Sequence, residues 1–185
     1  MNRTFSLALI FIVAQAVCAQ TSSDRAAAMA KLSFMRGVWA GPASGVDHNG
    51  TRYSVQQTER MGPMLGGDVI VVEGRGYKDD GSTGFNALGV VSWDARTGKY
   101  EFRSYAQGFA GTFELKPTDN GYIWEIPMGE TLIRYTATVK DGHWREIGER
   151  ITPGKPAVRI FEMNLTHVAD TDWPSANPVP PSNSH

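Results

Sequence analysis

The residues that could do chemistry in this chain are few and widely spaced. His167 follows Phe161, Met163 and Leu165 at alternate positions, so on a strand it shares their apolar face. His48, His143 and His185 show neither His-x-His nor His-x-Glu-x-x-His spacing, which gives no pattern for a dedicated metal site. Gln57 and Glu59 fall on the same alternating face as Tyr53 and Val55, where a polar group can fix the polar end of a ligand. The plainer expectation for Glu59 is a place at a rim, paired with an arginine. Glu125, Glu146 and Glu149 offer carboxyls, but acid–base chemistry needs a set separation between two of them, and the sequence fixes none. Ser92 and Ser104 stand in no Gly-x-Ser-x-Gly elbow. Binding is therefore favoured over catalysis, with no cofactor required.

A binding set follows from the aromatic residues. Tyr53, Phe102, Trp124, Tyr135 and Met163 all sit on the apolar side of alternating runs and would form a wall. Gln57 and His167 would add polar contacts to it. The expected ligand is a small, largely apolar molecule. Packed core is the competing use of the same aromatics, with the outer surface left to meet a protein partner.

These side chains need strands to hold them. Asn49-Gly50, Asp80-Gly81, Thr97-Gly98, Asn120-Gly121 and Asp141-Gly142 each place glycine after a residue suited to a tight turn. Met61-Gly62-Pro63 and Pro153-Gly154-Lys155-Pro156 punctuate two further connections. Between the turns the period is two, as in Ile133, Tyr135, Ala137 and Val139 against Arg134, Thr136 and Thr138. Strands are predicted near 38–46, 51–60, 66–77, 84–94, 99–107, 109–116, 121–127, 130–140, 143–152 and 157–169. Short turns place successive strands side by side. The expected fold is all-β, an antiparallel meander closed into a barrel of about 8–10 strands. One short helix precedes it, with Ser23 as N-cap, Ala28, Leu32 and Met35 on its apolar side, and its end near Arg36.

The flanks read differently. Arg3, the apolar run Phe5–Ala14 and the small residues before Gln20 make residues 1–19 an expected signal peptide, with residues 20–170 as the mature domain. Acylation of Cys18 is the alternative. Cleavage removes the chain's one cysteine, which leaves no thiolate chemistry and suits an oxidising periplasmic or extracellular setting. Residues 171–185 are rich in proline and are expected to be a disordered tail. The net charge is −1, and no basic run appears, which argues against nucleic acid and anionic membrane surfaces. No apolar stretch after the leader is long enough for a membrane-spanning helix. Oligomeric state has no signature here.

Gly37-Val38-Trp39 after a short helix resembles the lipocalin superfamily, where such a Gly-x-Trp closes one end of a barrel. Gly37 and Trp39 are accordingly expected to be structural. The longer stretch Leu32–Gly41 is similar to two groups, an uncharacterised bacterial family (domain of unknown function 1579) and the nitrobindin haem barrels. Gly89–Asp94, Gly98-Lys99-Tyr100 and Phe161–Thr166 also match the style of the uncharacterised family. The nitrobindin resemblance implies an alternative in which His167, on the last strand, holds haem iron. Lipocalins proper carry a helix after the barrel and a Thr-Asp-Tyr signature, and this chain has neither. The resemblance therefore implies the fold more than a ligand.

Overall fold

The structure, a computed structural model, describes residues 23–47 and 49–174. The expected signal peptide, and the expected tail beyond Pro174, lie outside the described residues, as do His48 and His185.

Tight turns send each strand back beside its predecessor. The strands are β1 (Gly37–Val46), β2 (Arg52–Met64), β3 (Val69–Tyr77), β4 (Thr83–Asp94) and β5 (Lys99–Ala106), then β6 (Phe109–Thr118), β7 (Gly121–Met128), β8 (Thr131–Lys140), β9 (His143–Ile151) and β10 (Val158–Ala169). Each pairs antiparallel with its sequence neighbours, and β10 returns to β1, so ten strands close into a meander barrel. Asp141 and Gly142 show how the turns work. Both have positive φ, 53° and 73°, which gives a two-residue turn the twist of its flanking strands.

One boundary differs from expectation. β2 runs through Gly62-Pro63 to Met64, and Pro63 keeps register with Ile70. Pro63 sits near the strand end, where a missing N–H is tolerated. The chain reverses instead at Leu65, Gly66 and Gly67, with φ of 54°, 69° and 99°.

Helix α1 (23–30) is also shorter than expected, giving way to a turn and then a 3-10 turn at Ser33–Met35. The expected apolar side, Ala28, Leu32 and Met35, is still buried, and Met29 is buried with it. That face covers the barrel end where β1 begins. Tyr100 Oη donates to Ala28 O at 2.7 Å, and Arg25 pairs with Asp68 at 2.8 Å on the rim. Beneath the helix, Trp39, Met61, Ile70, Val91, Leu115, Trp144 and Leu165 form the packed core. Each such side chain removed from water contributes about 1.5–3 kcal/mol.

The packed chain continues past the expected boundary at residue 170. Trp173 lies on the outside of β2, with the Arg60 guanidinium 4.3 Å above its ring. Gly62 leaves room for the Trp173 carbonyl, which any Cβ there would strike.

Candidate binding site

Alternation gives every strand one face toward the barrel interior, and the pairing register sets what meets there. Several interior rings lie against glycines. Tyr135 pairs with Gly148, and Tyr53 with Gly45. A Cβ on Gly148 would stand 2.8 Å from Tyr135 Cε1, and one on Gly45 would stand 2.7 Å from Tyr53 Oη. Phe102 covers Gly89 and Phe113 covers Gly111 in the same way, each at 2.5 Å. A ring laid on a glycine occupies the thickness a side chain would have filled, so it lines the wall rather than crossing the lumen.

The rings also touch one another. Trp124 stacks on Tyr135 with centroids 4.3 Å apart and planes 9° from parallel. Phe102 meets Trp124 edge-on at 5.0 Å, and Phe161 meets Tyr135 at 5.9 Å. Phe102, Phe113, Trp124, Tyr135 and Phe161 are only half-buried. An inward side chain of a closed barrel reaches solvent through an open end or a gap between strands. Both exist here. The end opposite α1 carries Tyr53, 38% exposed, and Phe109, 82% exposed. Between β6 and β7 the pairing extends only from Leu115–Trp124 to Thr118–Gly121. Beyond it, a pocket of about 220 Å³ has Phe113 and Trp124 on its inner side and Thr112, Glu114, Lys116 and Glu125 among its outer residues.

Below the rings lie two carboxyl groups. Glu59 on β2 and Glu146 on β9 are 8% and 7% exposed. Glu146 accepts from Tyr122 Oη at 2.9 Å and from Trp124 Nε1 at 3.3 Å. Glu59 accepts from Gln57 Nε2 at 2.7 Å, the one hydrogen bond its carboxyl receives among the described residues. Gly74 opposite leaves it room, since a Cβ there would come within 2.6 Å of Oε1. Burial pushes Glu59 up to about 8, and the field of Glu146 adds to the rise while Gln57 opposes it. Burial raises Glu146 as well, against its donors. Burial and then the field of Glu146 push Tyr135 up to about 12. The field of Glu146, which accepts a hydrogen bond from Trp124, thus reaches Glu59.

The structure brings together six of the seven predicted binding residues. Phe102, Trp124 and Tyr135 form the wall, and Tyr53 stands at the open rim. Met163, 3% exposed, pairs with Glu146, and Gln57 is engaged by Glu59. His167 is elsewhere. It is at the helix-covered end, edge-on to Trp39 at 4.9 Å, with Nε2 3.5 Å from exposed Asp170. Alternation gave its face correctly, but it pairs with Trp39 near the end of β10, where its side chain is 32% exposed. It therefore does not face the aromatic wall. Trp39 is 3% exposed and donates to Met35 O at 3.1 Å, and Gly37 makes room for the His167 imidazole.

Glu59 is the clearest correction. It is not at a rim and forms no ion pair among the described residues; it lies in the interior. Glu146 was not in the expected binding set, although Trp144, Glu146 and Gly148 alternate on β9 and that alternation alone points it inward. Among the described residues no group of three or more His, Cys, Asp and Glu side chains converges as a metal site, and no helix is long and apolar enough to cross a membrane.

No protein-family model matches the sequence, and no curated protein does. The fold does have likenesses among solved structures. The crystal structure of Rv2717c from M. tuberculosis matches with a TM-score of 0.58 and 13% identity, covering 76% of this chain and 97% of that one. At that identity the likeness establishes the barrel fold, consistent with a lipocalin-like or calycin-like architecture, and nothing finer.

Proposed function

We propose that this chain is an exported binding module that takes a small, largely apolar molecule into the open half of its barrel. The observation that carries the reading is the wall of rings laid over glycines. It offers apolar area to a guest while staying half-exposed to solvent. Such area attracts a guest because covering it releases water, at about 25 cal/mol per Å². Trp124 and Tyr135, already stacked and held by packing, lose little freedom when a ligand covers them. The similarity of Leu32–Gly41 to the uncharacterised bacterial family belongs to the same proposal, as does a periplasmic or secreted location.

The test is a thermal-shift screen of fatty acids, quinones and isoprenoids on wild type and on Tyr135→Ala. A ligand at a hundredfold excess over its Kd should stabilise the wild type by about 2.7 kcal/mol, and by much less in the variant. Probes that leave the melting point unmoved, or that act equally on Tyr135→Ala, would remove the aromatic wall as the seat. Export has its own test. Protein taken from its native compartment should begin at Gln20, and an N-terminal acylated Cys18 would replace the soluble form with an anchored one.

A further inference from the structure

β6 and β7 pair only from Leu115–Trp124 to Thr118–Gly121, yet both strands run on toward the open end, β6 back to Phe109 and β7 to Met128. Residue types explain why the ladder stops. Continued outward, the register would set Glu114 opposite Glu125 and then Thr112 opposite Pro127. Like charges directly opposite one another resist pairing, and proline brings no N–H to a ladder. Each glutamate is turned to a cation on its far side instead, Glu114 to Lys99 at 3.0 Å and Glu125 to Arg134 at 2.7 Å.

The unzipped edges still present backbone groups in a fixed order. The two-residue turn Gln107-Gly108 makes Ala106–Phe109 a hydrogen-bonded pair. Alternation then points the odd-numbered residues of β6 at β5, and Thr112 and Glu114 at the seam. Val139 N donates to Asn120 O at 2.6 Å, and the same alternation along β7–β8 points Glu125 and Pro127 at the seam. Thr112, Glu114 and Glu125 thus each offer the seam an N–H and a C=O, and Pro127 a C=O alone. Among the described residues no strand pairs with them there. The pocket of about 220 Å³ lies between these two edges, and its inner side is Phe113 and Trp124, with ring centroids 5.4 Å apart.

Resting on the binding reading above, we infer that the seam reads the ligand's polar edge, and that the ligand is a small flat ring system carrying an N–H beside a C=O, as a lactam does. The Glu114 N–H donates to the lactam oxygen and the Glu114 C=O accepts from the lactam nitrogen, the exchange a paired strand residue would have made. The ring face lies on Phe113 and Trp124. A wholly apolar guest would cover the same backbone groups without replacing the water they bond, which costs affinity. An extended peptide fits less well. A strand inserted between antiparallel neighbours runs parallel to one of them, and β7 offers it a single donor in the seam, at Glu125. The pocket is also smaller than the roughly 300–1,000 Å³ of sites for drug-sized ligands, which suits one or two fused rings.

Titrations with oxindole, N-methyloxindole and indane, followed by calorimetry and by amide NMR, test the inference. Oxindole should bind tightest and shift the Glu114 amide. N-methyloxindole, its donor blocked, should bind about tenfold more weakly, and indane no better than that. The double variant Glu125→Thr/Pro127→Val removes the repulsion and restores the missing donor. Its ladder should continue, hydrogen exchange at Thr112 and Glu114 should slow, and oxindole affinity should fall by about tenfold or more. The probe order and the amide shift in wild type stand on their own if that variant misfolds. Indane binding as tightly as oxindole, with the Glu114 amide unmoved, overturns the seam site and leaves the apolar wall standing. So does a wild type that ignores oxindole but is stabilised by fatty acids or quinones. Slowed exchange along β6 with an alternating threonine–valine pentapeptide, and none with oxindole, overturns it in favour of strand addition.

Discussion

The two ends of this barrel are built from the same strands and treat water oppositely. At the end covered by α1, Leu32, Met61, Ile70, Val91 and Leu165 are at most 3% exposed, and Trp39 spans the core with its indole N–H satisfied. At the other end the aromatics are half-exposed and rest on glycines, and Phe109 stands 82% exposed. Large side chains fill the closed half. In the open half, rings such as Tyr135 and Phe102 lie over glycines and fill the space a second side chain would have taken. Stability is therefore concentrated at one end, and the other is free to be shaped for a guest.

The largest test of that contrast is Trp39→Ala. It should cost about 3–5 kcal/mol, read by chemical denaturation, because it leaves a cavity in packed surroundings. An equal loss from Phe109→Ser would mean that the open end is packed as well.

Between the two ends, the carboxyls should cost stability rather than supply it. Glu59 has a folded pKa of about 8, raised above its ordinary value of 4.5 by burial. Its proton is held more tightly folded than unfolded. Its contribution is full below the unfolded value and is lost as pH climbs from there to about 8. Glu59→Gln removes that loss, so it should melt increasingly above wild type across this window, by on the order of 2–4 kcal/mol at its top. Glu146 is raised in the same direction, so part of the pH slope should survive in the single variant. A variant that melts below wild type at pH 8 would show that Glu59 is paired and charged.

A smaller effect is expected where the chain leaves the closed end. Ending the chain at Asp170 removes the Trp173–Arg60 contact and should cost about 1 kcal/mol, the scale of an exposed cation–π pair with some apolar cover. Smallest of all, Phe109→Ser should fall within about 0.5 kcal/mol of wild type, since little of that ring is covered.

Much of this could be read from the chain. Period-two alternation and explicit turn pairs such as Asp141-Gly142 are local, so the strands lie close to their predicted spans. Gln107-Gly108 turns with φ of 52° and 84°, although glutamine is an unusual residue there and the signal is faint. Gly62-Pro63 misled because a turn composition can also end a strand. The interior site was legible in its faces and illegible in its depth. Alternation set Glu59 and His167 inward alike. Cross-strand register sets both opposite Trp39, and only their packing shows that Glu59 is 8% exposed while the His167 side chain is 32% exposed beside Asp170. Such packing depends on strands distant in sequence, and no local pattern encodes it.

The short pairing between β6 and β7 gives the chain a natural place of division. A cut in the turn after Thr118 separates the polypeptide into a piece holding α1 through β6 and a piece holding β7 through β10, which pair strand to strand again along that brief ladder and along β1–β10 and meet elsewhere through side chains such as Phe102 and Trp124. Glu59 belongs to the first piece and Glu146 to the second. Two separately synthesised fragments would thus each carry half of the acidic pair, and the complete pocket would exist only on reassembly, which makes this barrel a candidate for fragment complementation with ligand capture as its signal.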